Sequence, residues 1–391
     1  MNKNILAREV QDYINAHLNS DINQIALGKS RFDGVSPAEL ANQITAKRKS
    51  EKKLPTWFNT EGIYYPPALS IEQTSSETTA AYKAKLAWGN NLVDITGGFG
   101  IDSYYFAKKI QQVTHCEINA DLSEIAAYNA TLLNQTNINF ISTDGIELMK
   151  QTTVLFDTIY VDPARRATKG KVFMLKDCTP DVVTNLDTLL QKSQRIIIKT
   201  APLLDLTAGL SELKNVSEIH IVSVRNECKE LLWVIERDFS DEPEIIAVCL
   251  NDDEKHFSFR KSESESIRFV DNLNNFKYLY EPDAALLKSG AFNLIASRYQ
   301  ITKLHPQTQL YASNNINKNF PGRIFEIEEL LSNVKKESNL TGNVIVRNYP
   351  AKPEDLVKKF KIKPDKSGFL IFTKLATGNN IIIRAKIIQY Y

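Results

Sequence analysis

Cysteine and histidine are scarce in this 391-residue chain, with four and five copies respectively. Cys116, Cys178, Cys228 and Cys249 show no C-x-x-C spacing, and His17, His115, His220, His256 and His305 are scattered rather than set at ligand spacing. Neither a disulfide framework nor a bound metal is expected. Long apolar runs are missing, which argues against a membrane-spanning helix and a membrane partner. Residues 1–9 lack the apolar stretch of a signal peptide, so a cytoplasmic protein is expected. Charge of one sign is missing too: 48 Lys and Arg stand against 46 Asp and Glu, a net of +2, so the chain as a whole presents no field that would gather a polyanion. Glycine and proline, at 15 and 14 positions, are too few for low-complexity or collagenous chain.

What is present suits folded domains. The length fits about two to three domains of roughly 150 residues each, and the patterning divides the chain at 1–69, 70–240 and 241–391. Residues 1–53 read as helical, with Val10, Ile14 and Leu18 on one face, and end in a charged run at 47–53. A capped helix is predicted over 70–86. From Asn91 short apolar runs alternate with helical stretches, the pattern of β-α-β units and a parallel sheet. Strands are predicted at 92–96, 113–118, 138–141, 158–161, 195–200, 218–224 and 231–236, with helices such as 122–134 and 181–191 between them. Beyond Asp238 the alternation stops. A hairpin is predicted at 244–250 and 257–260, a helix at 281–299, and a β-α-β-β unit at 344–348, 353–360, 369–374 and 381–387, half of a ferredoxin-like pattern. Basic character gathers here, with ten Lys and Arg against three Asp and Glu between Thr341 and Tyr391.

Chemistry concentrates at the carboxyl ends of the first four strands, where ligands of doubly wound sheets bind. The first ends in Asp94-Ile95-Thr96-Gly97-Gly98-Phe99-Gly100, a D-x-x-x-G-x-G loop whose glycines allow close backbone approach to a ligand at a helix start. The second ends in Glu117-Ile118, an acid placed to accept two ribose hydroxyls. The third ends in Asp144-Gly145, where a carboxylate can accept from an adenine amine. The fourth ends in Asp162-Pro163-Ala164-Arg165-Arg166. Each signal taken singly is also a tight turn, a strand-end acid or a cap. Four in succession point to a nucleotide-like cofactor.

With these four motifs the chain resembles the class I S-adenosylmethionine-dependent methyltransferases, and the likeness narrows to bacterial RNA methyltransferase-like proteins with a THUMP-like C-terminal domain. The narrower likeness is carried by Glu72-Gln73-Thr74-Ser75-Ser76-Glu77, residues 93–102, residues 162–166 and Tyr278-Leu279-Tyr280-Glu281-Pro282. The resemblance implies an α/β fold: a Rossmann-like seven-stranded sheet whose last strand is antiparallel, an N-terminal helical region and a C-terminal α+β ferredoxin-like domain. It implies S-adenosylmethionine as cofactor, held by Ser75, Asp94, Thr96, Gly97, Gly98, Gly100, Glu117, Ile118, Asp144, Gly145 and Asp162. It makes Asp162-Pro163 the catalytic motif; with Arg165 added as the third catalytic residue, the activity expected is methylation of an exocyclic purine amine in tRNA or rRNA, and a monomer is expected. RNA would be held by Arg165, Arg166, Lys358, Lys359, Lys361 and Lys363. The fourth motif departs from the family, because amine-methylating relatives carry Pro-Pro and an aromatic where Pro163-Ala164-Arg165 stands; the Arg165 guanidinium can stack on a base or bind phosphate.

Rival readings attach to particular residues. Pyrimidine C5 methylation needs a cysteine nucleophile; the turn 199–202 has none, and Cys178 lies about sixteen residues past Asp162 without a visible activating base. A catalytically silent RNA-binding module would follow if Arg165 blocked the base pocket. A nucleotide-dependent oxidoreductase is disfavoured by Asp94 and by Ser103, which stands at the third small position of G-x-G-x-x-G/A.

Overall fold

The computed structural model describes residues 1–165, 174–331 and 340–391. The chain divides into two compact units, Met1–Ser217 with Leu232–Asp241, and Glu218–Leu231 with Glu242–Tyr391.

The first unit begins with helices α1 (Arg8–Ala16), α2 (Ile22–Ala26), α3 (Pro37–Lys53), α4 (Pro55–Asn59), α5 (Ala68–Gln73) and α6 (Glu77–Leu86). Helix α3 starts where the sequence supplies a start: Pro37 opens it, Ser36 caps the Glu39 amide, and the Glu39 carboxylate returns to the Ser36 amide. The helix predicted over 70–86 is in fact two helices. Thr74 and Ser76 are extended, and the Ser76 hydroxyl caps α6 at the Thr79 amide. A serine placed so close to a second start favours a cap over continued helix.

The sheet strands follow as β1 (Asn91–Asp94), β2 (Gln112–Cys116), β3 (Ile138–Ile141), β4 (Phe156–Val161), the short pair β5 (Ala164–Arg165) and β6 (Cys178–Thr179), β7 (Ser193–Thr200), β8 (Val216–Val224) and β9 (Glu227–Glu236). Helices α7 (Ile101–Ala107), α8 (Ala120–Leu132), α9 (Gly145–Gln151), α10 (Val182–Lys192) and α11 (Leu206–Glu212) connect them. Strand neighbours run β3-β2-β1-β4-β7-β9-β8. Strands β1, β2, β3, β4 and β7 are parallel. A two-residue link, Arg225-Asn226, both at positive φ, reverses β9 against β8. This is the Rossmann-like order with one reversed strand that the sequence resemblance implied. Leu92, Val93, Val113, Ile159, Ile196 and Ile197 are fully buried, as strands covered on both faces require.

The second unit, which holds Glu218–Val224 of β8, adds β10 (Glu244–Leu250) and β11 (Glu254–Phe259), a hairpin in which β10 pairs parallel with β8, so the sheet has nine strands where seven were expected. Then come β12 (Tyr278–Pro282), α12 (Ala284–Ser289), α13 (Phe292–Tyr299), β13 (Thr302–His305), β14 (Thr308–Ser313), β15 (Gly322–Leu330), β16 (Asn343–Val346), α14 (Pro353–Phe360), β17 (Gly368–Lys374) and β18 (Asn380–Gln389). The helix predicted over 281–299 is overturned: Glu281 and Pro282 close strand β12, and Gly290 at φ +75° separates two short helices. The predicted β-α-β-β unit is present, with β16 and β17 parallel around α14 and β18 antiparallel to β17. Its strands belong to a seven-stranded sheet of order β13-β14-β12-β15-β18-β17-β16, packed on Leu279, Leu310, Phe325, Ile371 and Ile383.

Candidate active site

Asp94, the last residue of β1, is buried to 1% exposure. Its carboxylate accepts from the Ser103 hydroxyl at 2.6 Å and the Thr96 amide at 3.1 Å. Burial pushes its pKa from the ordinary 3.8 up to about 7; the Ser103 hydrogen bond opposes this, and the Asp102 and Asp162 carboxylates add to it. A group whose folded pKa is raised in this way holds its proton longer folded than unfolded. Its contribution to stability therefore falls as pH climbs from about 4 to about 7 and is flat above that. Asp94→Asn removes the titration, so in the cofactor-free protein the variant should gain stability over wild type between pH 5 and pH 8, on the order of a few kcal/mol. Denaturant melts at the two pH values check this, and an equal difference at both refutes it.

The glycine loop is tied to the second strand. The Gly98 amide donates to Glu117 Oε2 at 2.9 Å, and the Asn119 amide donates to Oε1 at 2.8 Å. Beneath the loop lies the buried His115 ring, Nε2 3.3 Å from the Gly98 carbonyl, its pKa lowered by burial. Ile118 is 71% exposed, an apolar surface open beside the acid. At the end of β3 the Asp144 carboxylate caps α9, with Oδ1 accepting from the Ile146 amide at 2.8 Å and the Glu147 amide at 3.1 Å. Gly145 must be glycine, because a Cβ there would stand 2.3 Å from the Ile95 carbonyl oxygen. That contact brings the β3 turn hard against the end of β1.

At the end of β4 the Asp162 amide donates to Thr96 Oγ1 at 2.7 Å. Its carboxylate Oδ2 receives the Lys199 ammonium at 2.6 Å, and Oδ1 has no hydrogen-bond partner among the described residues. Pro163 is buried. Arg165 pairs with Cys178 in the β5–β6 ladder, while Arg166 lies outside the described residues. Cys178 is fully buried, as is Cys116, whose thiol burial pushes up to about 12.

Ser75 sits between α5 and α6 at 6% exposure, donating to Asp102 Oδ2 at 2.8 Å and accepting from Lys83 at 2.6 Å. Lys83 is fully buried and its ammonium is 3.0 Å from Asp102 Oδ1; the Tyr160 hydroxyl also donates to Asp102. This network joins the turn between α5 and α6 to the first turn of α7. Glu77 does the same nearby, accepting from Thr56 and from the Tyr105 hydroxyl at 2.7 Å.

Sequence reasoning passed over Lys199, Lys83 and Asp102. The spacing of a lone strand-end lysine says nothing until the register of β4 against β7 is known. Asp102 lay inside a quoted motif with no partner in view.

In the second unit Lys358 and Lys359 occupy the last turn of α14, Lys361 ends it at φ +52°, and Lys363 follows; all four are exposed. The 47–53 run differs. Lys47 donates to Asn15, Lys49 pairs with Glu72, and Lys53 donates to the carbonyls of Ile71 and Glu72, so much of its charge fastens α3 to its neighbours.

A glycine loop, a ribose-type acid and an acid-proline turn on one Rossmann-like sheet define the S-adenosylmethionine-dependent methyltransferase class. Residues 278–321 match a ferredoxin-like domain and residues 322–386 a THUMP-like domain. The ferredoxin-like match thus falls upstream of the β-α-β-β unit to which the sequence reading gave that name. Over 99% of its length, and 99% of the other chain, the protein is 32% identical to a candidate methyltransferase from Porphyromonas gingivalis W83, with a TM-score of 0.88. An uncharacterized RNA methyltransferase of Mycoplasma mobile is 39% identical over 85 residues, 22% of this chain and 23% of that protein. An uncharacterized S-adenosylmethionine-dependent methyltransferase of Mycobacterium tuberculosis is 18% identical over 319 residues, 79% of this chain and 84% of that protein. The chain belongs to the family of the Porphyromonas protein, S-adenosylmethionine-dependent methyltransferases with a THUMP-like C-terminal domain. Among the described residues no helix is long and apolar enough to cross a membrane.

Proposed function

We propose that the protein transfers a methyl group from S-adenosylmethionine to an exocyclic amine of a purine base in tRNA or rRNA. The observation that carries this reading is Asp162, fixed at the end of β4 beside the glycine loop with Oδ1 open among the described residues. The donor set fits the cofactor: Glu117 for the ribose hydroxyls, Ile118 and Asp144 for the adenine, and the Gly97–Gly100 loop for close backbone approach. When bound, S-adenosylmethionine supplies an electrophilic methyl group. A base amine is a weak nucleophile because its lone pair is delocalised into the ring. Asp162 Oδ1 and the Pro163 carbonyl accept its hydrogens and localise that lone pair, on a base taken out of its stack. The surplus proton leaves the nitrogen through Asp162 Oδ1 to water. Full burial of Cys178 counts against the cysteine-dependent C5 alternative.

The RNA assignment draws on the name of the Mycoplasma mobile relative and on the exposed lysines at the end of α14. Mass spectrometry of nucleosides from RNA of a deletion strain against its parent tests it: one methylated purine amine should vanish, and loss of a 5-methylpyrimidine or of nothing would refute it. Each lysine that neutralises a phosphate adds about 0.7 to 0.9 to the salt slope. Replacing Lys358, Lys359 and Lys361 with alanine should therefore flatten log K against log salt by about two to three units, with cofactor affinity unchanged. Parallel lines in a salt series would place the RNA surface elsewhere.

A further inference from the structure

Strand β7 runs parallel to β4 with Ile197 level with Tyr160 and Ile198 level with Val161. One step further, the same register sets Lys199 beside Asp162, and the two side chains meet at 2.6 Å. Both are withdrawn from solvent, Lys199 to 16% and Asp162 to 29% exposure. Asp162 is therefore gripped at two points, its backbone amide by Thr96 and one carboxylate oxygen by Lys199. Thr96 in turn is bonded through its amide to Asp94. The ends of β1, β4 and β7 are thus tied to one another through this acid.

We infer that Lys199 is a positioning residue for methyl transfer, holding Asp162 through Oδ2 so that Oδ1 is the oxygen presented to the acceptor amine. This rests on the amine-methylation reading above. A carboxylate without such a partner rotates about its terminal bond, whose torsional preference is broad, and offers either oxygen. An ammonium at hydrogen-bond distance in a partly buried site fixes the plane with a charge-assisted bond, one of the stronger kinds. The same cation offsets part of the charge of Asp162, which with Asp102 acts on the buried Asp94. In-line transfer depends on the lone pair pointing along the carbon–sulfur axis, and misplacement by about 1 Å costs on the order of a hundredfold. The predicted signature is therefore a loss in turnover rather than in binding.

The test measures transfer of tritiated methyl groups to RNA from a strain lacking the gene, for wild type, Lys199→Ala, Lys199→Gln and Lys199→Arg, each with its melting temperature and S-adenosylhomocysteine affinity. The inference requires kcat to fall at least about tenfold in the Ala and Gln variants, with KM for RNA within about threefold. Lys199→Arg, which restores a cation facing Asp162, should return kcat to within about threefold of wild type. If Lys199→Ala does not fold, the Gln and Arg pair decides. An unchanged kcat, a raised KM with kcat intact, or equal losses in the Arg and Gln variants would overturn it; the second would make Lys199 a phosphate contact. A wild type that binds S-adenosylhomocysteine yet labels no RNA refutes the underlying reading instead, and the inference falls with it.

Discussion

Asp162→Ala is expected to lower methyl transfer to RNA by at least about a hundredfold while leaving S-adenosylhomocysteine affinity within about threefold. The side chain has one oxygen bound to Lys199 and the other open among the described residues, and the bond to Thr96 comes from the backbone amide, which alanine keeps. Truncation should thus remove the acceptor without unfastening the end of β4. The loss should appear in kcat, because the acceptor bond strengthens as charge develops on the nitrogen. Cys178→Ser serves as the contrast: the thiol is fully buried, and the variant should transfer methyl groups within about twofold of wild type. Single-turnover rates on RNA from the deletion strain decide between them. A dead Cys178→Ser, or a covalent RNA adduct through that residue, would replace amine chemistry with C5 chemistry.

Much of this architecture was legible in the sequence because buried parallel strands are short apolar runs ended by polar residues. Strand β3 matched to the residue, and the acids closing β1 through β4 stood where their motifs placed them. Less was legible where local pattern and tertiary context disagreed. The 281–299 stretch has helical composition, yet Glu281 is held as the end of a strand by ion pairs to Arg323 and Arg347, residues far away in sequence. Strands β13, β14 and β15 went unread, since their partners define them more than their own alternation does. Asp144 has a double role that its motif concealed, as the cap of α9 as well as a proposed adenine acceptor. Nothing in the charged run at 47–53 itself reveals that α5 takes up Lys49 and Lys53.

Gly98→Val should abolish cofactor binding within the reach of calorimetry, a loss of at least about a hundredfold. Gly98 sits at φ +54°, and a Cβ there meets nothing of the protein nearer than the Thr96 carbonyl oxygen at 3.9 Å. The folded chain has room for the side chain, so the damage has two other sources. A β-branched residue is an outlier in the left-handed region, costing about 1–3 kcal/mol. Its methyl groups also project where, on the proposed reading, the cofactor approaches the loop. Glu117→Ala should cost a milder sum of about 1–3 kcal/mol of affinity, as the bond from the Gly98 amide and the proposed charge-assisted bonds to ribose are lost. Melting temperatures separate binding from folding. Normal affinity in a folded Gly98→Val would remove the loop from the cofactor site.

The Lys83 ammonium, enclosed with Asp102 and Ser75, offers a timepiece for the first unit. Amine-acylating reagents need an unprotonated, accessible nitrogen, and at 0% side-chain exposure Lys83 presents none while the unit stays closed. Its acylation, followed peptide by peptide in a mass spectrometer, therefore counts opening events around Ser75 and the first turn of α7. The exposed Lys358 and Lys359 should acylate at the reagent's own pace and calibrate each run. Adding S-adenosylhomocysteine should slow the Lys83 trace and leave the other two unaltered, giving a footprint of ligand binding that needs no knowledge of the RNA substrate.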